Sequence, residues 1–272
     1  MKGSNEFSFS DDSVAGSYDD VLVPILFEPW AKALIDAHGP WDGRRVLDLA
    51  TGTGIVARML AEQLGPSGSV LGTDLNAEML KVAAASISNE FRNIEFVECP
   101  AENLECIDNS FDYVVCQQGF QFFSDKIASA KEIRRVLRDD GTVIVSVWRT
   151  VAECHFFNTI CETLESIGEA EIAGMMRAPF DFLPRNDLEV AFQSAEFSSV
   201  DVNFEERDMI ISGGVEHATR TAYSTPIGPR LRSLSEEIQA QFVDEFAKHI
   251  KELASDGVTM GQMASDVLVA KK

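Results

Sequence analysis

The chain has 272 residues, 45% of them apolar, and its 23 basic and 44 acidic side chains give a formal charge of −21. That size and apolar content support a full α/β core, alone or with an elaboration. A field of that sign repels phosphate backbones and anionic lipid, so it argues against nucleic acid and for a small-molecule substrate. No apolar run reaches the length of a membrane span. The opening stretch MKGSNEFSFSDDS lacks the apolar segment of a secretory signal, so the expected compartment is the cytoplasm. Five cysteines (Cys99, Cys106, Cys116, Cys154, Cys161) form no C-x-x-C pair, which argues against both a disulfide framework and a metal site. Nothing here fixes an oligomeric state, and a homodimer stays open.

In chain order, residues 1–17 are polar and read as a loose arm. YDDVLVPILFEPWAKALIDAHG follows as an amphipathic helical segment broken near Pro24 and Pro29. A strand–helix alternation then begins. RRVLDLA is a buried strand and GIVARMLAEQLG a helix stopped by Gly65 and Pro66. SVLGTD is a second strand, after which Asn76 is placed to cap AEMLKVAAASIS. IEFVEC and FDYVVCQ are the third and fourth strands. Ser124 is placed to cap DKIASAKEIRRVLRDD, and TVIVSVW after Gly141 is the fifth strand. Short apolar strands separated by helices predict a parallel α/β sheet covered on both faces. Beyond Trp148, residues 151–178 read as helical up to Pro179, RNDLEVAFQSAEF as a further helix and SVDVNFEERDMII as a long strand. Residues 213–258 form an acidic helical insertion with Ile238, Phe242, Phe246 and Ile250 at four-residue spacing, and ASDVLVAKK closes the chain as a strand. The expected division is an arm and capping helix (1–43), a cofactor-binding core (44–150) and a remainder (151–272). Two insertions, about 151–178 and 213–258, would serve as a cap or lid.

Ligands of open α/β sheets bind at the carboxyl ends of the strands, and the turn Ala50–Gly54 lies at the first of them. Gly52 and Gly54 let the backbone approach a ligand, and the next helix offers free N–H groups. GTGIVA also satisfies the dinucleotide pattern G-x-G-x-x-A, which by itself points to an NAD(P)-dependent oxidoreductase. Two features oppose that reading. Asp48 at the strand tip would repel a pyrophosphate, and the first glycine of the pattern is replaced by Ala50. S-adenosylmethionine, with ammonium and sulfonium groups and no phosphate, fits better. Asp48 then either ties its own loop or reaches the ammonium through water. Asp74 ends the second strand, where a carboxylate can accept both ribose hydroxyls or cap the next helix. In CPAENL, Ala101 and Glu102 are placed for the adenine edge.

VLDLATGTG, VLGTDLNAEML, CPAENL and FDYVVCQQGFQFFSD…EIRRVLRDDGTVIVSVW resemble, in order and spacing, class I S-adenosylmethionine-dependent methyltransferases. Within them the chain is most similar to the small-molecule branch around ubiquinone/menaquinone C-methyltransferases and natural-product methyltransferases, strongly over about residues 15–150. The resemblance implies a Rossmann-like, seven-stranded, mostly parallel sheet with helices on both faces, an antiparallel last strand and a helical lid insertion. It implies that Ala50, Thr51, Gly52 and Gly54 cradle the methionyl part above Asp48, that Asp74 binds ribose and that Leu75 and Met79 flank adenine. Ala101 and Glu102 would read its edge, and Cys116 and Gln117 would approach the ammonium. Tyr18 would lie in a segment closing over the cofactor, whose product is S-adenosylhomocysteine.

Methyl transfer needs alignment and exclusion of water, and needs a general base only where the accepting atom must lose a proton. Several related O-methyltransferases carry a histidine base after the fourth strand, where this chain has Gln121, which cannot take a proton. That favours a pre-ionised acceptor, an amine or an activated ring carbon. His155, His217 and Tyr18 are the other catalytic candidates. Phe120, Phe122, Phe123, Phe156 and Phe157 could wall a flat apolar substrate, although core packing explains each singly. A protein that binds the cofactor without transferring the methyl is the remaining alternative.

Overall fold

Leu47 and Leu49 of β1 (Arg45–Leu49) enter one apolar cluster while Val46 enters another. The same alternation separates Val114 and Cys116 from Val115 in β4 (Phe111–Gln117). Period-two burial with apolar residues on both faces is the pattern of a sheet covered on both sides. The other strands are β2 (Ser69–Asp74), β3 (Ile94–Glu98), β5 (Leu137–Trp148), β6 (Ser199–Ile210) and β7 (Thr259–Lys271). The computed structural model, which describes residues 16–87, 93–181, 185–254 and 256–272, joins them in one sheet ordered β3-β2-β1-β4-β5-β7-β6. The pairs β1–β2, β1–β4, β2–β3 and β4–β5 are parallel. β7 runs against β5, because Lys272 meets Gly141 while Ser265 meets Val147. The Rossmann-like, mostly parallel sheet expected from the sequence is the one observed.

Helices α1 (Glu28–Ala37) and α2 (Ile55–Leu64) fill the face that holds Val46 and Val115. Helices α4 (Lys126–Val136) and α7 (Arg185–Ser194) fill the face that holds Leu47 and Val114. α3 (Ala77–Ala85) starts where Asn76 Oδ1 accepts the N–H groups of Glu78 and Met79 at 2.9 and 3.3 Å. Asn76 is therefore the cap that its position predicts.

The chain divides into two compact units. One comprises residues 27–147, 182–205 and 265–272, and carries the sheet core with α1–α4 and α7. The other comprises residues 1–26, 148–181 and 206–264. It holds α5 (His155–Ser166), α6 (Ala170–Asp181), α8 (Gly214–Tyr223), α9 (Gly228–Ser233) and α10 (Glu236–Leu253). Its interior is aromatic: Phe242 and Phe246 stack at 5.4 Å, and Phe156 meets Phe246 edge-on at 6.0 Å. Of the four-residue stripe on α10, Phe242, Phe246 and Ile250 are buried and Ile238 is half-buried, so the stripe is the packed face of its own unit.

Several boundaries differ from the sequence reading. Asp125, not Ser124, caps α4, accepting the Ala128 N–H at 2.9 Å, because Ser124 is engaged by Glu102. β5 starts at Leu137, before Gly141: Leu137 pairs with Phe111 and Arg138 reaches the Asp112 carboxylate, contacts that a local pattern does not reveal. Pro179 lies within the last turn of α6 rather than beyond it. β7 begins five residues before the alanine expected to open it. Ahead of α1, Tyr18–Phe27 forms a wide π-type helical segment with Pro24 inside, and Pro29 sits in the first turn of α1. Most of the loose arm expected over residues 1–17 lies outside the described residues. Among the described residues no helix is long and apolar enough to cross a membrane.

Removing the cap should be measurable. Asn76→Ala is expected to cost about 1 kcal/mol, read as a fall of about 2–4 °C in the unfolding midpoint. An unchanged midpoint would mean that the two N–H groups find another acceptor.

Candidate functional site

The turn after β1 is left-handed in three places: Ala50, Gly52 and Gly54 have φ of 57°, 56° and 82°. Gly52 is there for two reasons. Its φ disfavours any side chain, and no heavy atom lies within 4 Å of the position a Cβ would take, so the turn presents bare backbone to open space. Thr51 N–H donates to Thr73 O at 2.9 Å and fastens the turn to the end of β2.

Asp48 is 1% exposed, beneath this turn. Its Oδ2 accepts the Thr51 hydroxyl at 2.5 Å. Ala57 lies in the first turn of α2, whose N-cap Gly54 has no capping side chain. The Ala57 N–H is among the groups that favour the charged form of Asp48. Burial pushes its carboxyl up to about 7, opposed by the Thr51 and Ala57 hydrogen bonds and reinforced by the Asp74 charge.

Asp74 bridges the two strand ends. Its Oδ2 accepts the Gly52 N–H at 2.9 Å and its Oδ1 the Asn76 N–H at 2.8 Å. Burial raises its pKa, and the Asn76, Gly52 and Leu75 N–H groups pull it back. Each oxygen keeps a lone pair for a further donor. Beside it Leu75 is 69% exposed, an apolar side chain at the strand tip with no core to enter, while Met79 is buried.

Glu102 is bonded within the protein through one oxygen. Its Oε1 accepts the Ser124 N–H and hydroxyl, both at 2.8 Å, and the Asp125 N–H at 3.2 Å. Although burial opposes ionisation, these bonds hold its pKa below the ordinary value. That oxygen braces the loop after β4, and buried Ala101 lies beside it after β3. Cys116 is fully buried, and burial pushes its thiol far up, against N–H bonds from Gly119 and Phe120. Its sulfur folds the loop. Gln117 Nε2 donates to Phe27 O at 3.0 Å.

That loop is pressed onto the glycine turn. A Cβ on Gly119 would lie 2.5 Å from the Ala50 Cβ and 3.2 Å from the Cys116 sulfur, so only glycine allows the approach. Gln121 follows, 2% exposed, and among the described residues neither its Oε1 nor its Nε2 has a hydrogen-bond partner. Asp48, Ala50–Gly54, Asp74, Leu75, Cys116, Gln117 and Gln121 are therefore gathered at the carboxyl ends of β1, β2 and β4. Tyr18, His155 and His217 belong to the other unit. Tyr18 opens the π-type segment. His155 Nδ1 accepts the Gln262 N–H at 3.1 Å, which places the proton of the neutral ring on Nε2 and makes that nitrogen a donor. His217 is exposed, with Nδ1 against the Ser212 carbonyl.

The model of the ubiE/COQ5 methyltransferase family matches residues 9–164, more than half of the chain. The chain belongs to this family. It is 39% identical over 139 residues to the ubiquinone/menaquinone biosynthesis C-methyltransferase UbiE of Hahella chejuensis, covering 49% of this chain and 56% of that protein. It is 29% identical over 203 residues to the demethylmenaquinone methyltransferase of Staphylococcus carnosus, covering 70% of this chain and 84% of that one. The match spans about half the length of the UbiE relatives. Among solved structures, a phosphoethanolamine N-methyltransferase 2 of Haemonchus contortus in complex with S-adenosyl-L-methionine aligns over all of this chain and 61% of its own. It does so at a TM-score of 0.63 and 19% identity, a likeness of fold. The family's sheet is thus present with the glycine turn at its expected end.

Sequence reasoning passed over Gln118, Ser146 and Thr73, which are buried at the same strand ends. The one signal available for Gln118 was a run of glutamines in an otherwise apolar loop, QQGFQFF.

The buried Asp48 makes stability depend on pH. Its folded-state pKa lies above the unfolded value of 3.8, so folding retains a proton that the unfolded chain has released. The group is neutral to stability below about pH 4 and opposes folding increasingly as pH rises to 7. Relative to Asp48→Asn, the wild type is expected to lose on the order of 4 kcal/mol between about pH 4 and pH 8. Urea unfolding at several pH values measures this, and parallel pH profiles for the two proteins would contradict it.

Proposed function

We propose that this chain is an S-adenosylmethionine-dependent methyltransferase acting on a small, flat or apolar metabolite. Membership of the ubiE/COQ5 family and the names of its relatives favour a ring carbon as the acceptor atom. The observation that carries the cofactor assignment is the Asp48 carboxylate buried beneath the glycine turn and bonded to Thr51 of that turn. A dinucleotide needs the start of α2 for its pyrophosphate. Here one carboxylate lies buried beneath the turn that leads into that helix, and a second, Asp74, holds the Gly52 N–H. Two acids at this point suit a ligand with positive groups and no phosphate.

The residues present fit that cofactor. The bare backbone at Gly52 would cradle the methionyl part, the spare lone pairs of Asp74 would accept the ribose hydroxyls, and exposed Leu75 with buried Met79 would flank adenine. When bound, the cofactor supplies a methyl group activated by its sulfonium. The protein's part is to align the acceptor and keep water out. The loop Gly119–Gln121, locked against Ala50, is the rigid element nearest the turn on the β4 side. The charge of −21 speaks for a small acceptor over a nucleic acid and suits a cytoplasmic enzyme.

Binding of S-adenosylhomocysteine with a thermal shift, and none with NAD, is the expected result; the reverse would replace this reading by an oxidoreductase. Asp74→Ala is expected to weaken S-adenosylhomocysteine binding by more than about tenfold, since charge-assisted bonds to two hydroxyls are lost. Calorimetric titration of both proteins checks this. Unchanged affinity would mean that the ribose is held elsewhere.

A further inference from the structure

Most of the unsatisfied side-chain groups at the carboxyl ends of the strands lie after β4 and on β5, with Thr73 Oγ1 on β2 as a further one. Among the described residues neither atom of the Gln121 carboxamide has a partner, and Gln118 Oε1, Gln117 Oε1 and Ser146 Oγ have none either. Gln121, Gln118 and Ser146 are 2%, 5% and 2% exposed. A buried carboxamide without partners costs about 1–3 kcal/mol per unsatisfied group, so native proteins rarely keep several together without a use.

The orientation of Gln118 is fixed by its bonds. Gln118 sits at φ 55° with its N–H on Ser146 O at 2.9 Å, which anchors it to the end of β5. Its Nε2 donates to Ser265 Oγ at 3.1 Å, and Ser265 gives its own proton to Val147 O at 2.8 Å. Since Ser265 must accept, the amide nitrogen of Gln118 faces β7 and its oxygen faces away. Gln121 is carried on the short helical turn Phe120–Phe122, whose Phe120 is locked in the core against Phe192 at 5.2 Å. In the sheet order Gln118 and Gln121 follow β4 and Ser146 stands on β5, whereas the residues assigned to the adenosyl part stand at the ends of β1 and β2. The carboxamides are therefore across the turn from Asp74.

We infer that Gln118, Gln121 and Ser146 form the acceptor-binding socket, and that the socket selects an uncharged acceptor carrying a hydroxyl or N–H beside an oxygen. The oxygens of Gln118 and Gln121 take the acceptor's O–H or N–H, and Gln121 Nε2 and the Ser146 hydroxyl donate to its neighbouring oxygen. None of the three carries a positive charge that would balance an anion. The charges felt at adjoining Cys116 are those of Asp48 and Asp74, both repulsive to a carboxylate or phenolate. The acceptor is thus held with its proton on, unlike the pre-ionised group that the missing histidine suggests. Gln118, Gln121 and Ser146 act as positioning residues, setting which molecule is presented to the methyl.

The inference rests on the cofactor reading above, and the test separates the two. Full-length protein saturated with S-adenosylhomocysteine is titrated with 3-hydroxybenzamide and with its anionic counterpart 3-hydroxybenzoate. The amide is expected to bind at least about fivefold more tightly than the acid. Gln121→Met and Ser146→Ala are each expected to weaken it while leaving S-adenosylhomocysteine affinity unchanged. In the ligand-free protein, Gln121→Met should raise the unfolding midpoint by about 2–4 °C, because an unsatisfied amide is removed. Failure of S-adenosylhomocysteine to bind would sink the cofactor reading instead. With that ligand bound, equal binding of amide and acid, binding of neither, or a lowered midpoint for Gln121→Met would overturn the socket.

Discussion

Burying the Asp48 carboxylate between the tip of β1 and the first turn of α2 costs solvation that only internal donors can offset, and the surrounding backbone is built around that need. Thr51 turns its hydroxyl inward to the acid. Around it the chain passes through left-handed conformations at Ala50, Gly52 and Gly54. The outcome is a turn whose inner side is satisfied by the protein itself and whose outer side, at Gly52, faces open space. A phosphate-binding turn works the other way, keeping its helix N–H groups for the ligand.

From that turn the rest of the site follows by close contact. Asp74 holds Gly52 and the start of α3 together, so the ends of β1 and β2 move as one piece. Glu102 gathers Ser124 and Asp125 and thereby sets where α4 begins. Arg135 on α4 in turn binds the Leu104 and Cys106 carbonyls and the Glu132 carboxylate, fixing the loop between β3 and β4. The acids that looked like ligand readers also hold loops, and after β4 and on β5 the buried groups without a partner among the described residues are neutral amides and a hydroxyl.

The first half of the fold was legible because its signals are local. A buried strand, a glycine turn and a helix with one apolar face need no distant partner to be recognised, and Asn76 caps α3 with N–H groups two and three residues away. What was not legible depends on contacts remote in sequence. Ser124 and Asp125 are equally good caps by type, and Glu102, 22 residues earlier, decides between them. The onset of β5 looks like the end of a polar helix until Leu137 is placed against Phe111. The same applies to the site: Asp48 and Asp74 stood out as acids at strand ends, while the orientation of Gln118 is set by Ser265, 147 positions further along.

The contact between Ala50 and Gly119 ties the histories of two positions. Only one methyl fits between them, and this chain places it on residue 50, at a φ of 57° that glycine would adopt with less strain. A relative with glycine at position 50 frees that space, and a small side chain at position 119 then meets chiefly the Cys116 sulfur, at 3.2 Å. Across homologues, substitutions at these two positions should therefore appear as a linked exchange, alanine with glycine or glycine with alanine, and seldom as alanine at both.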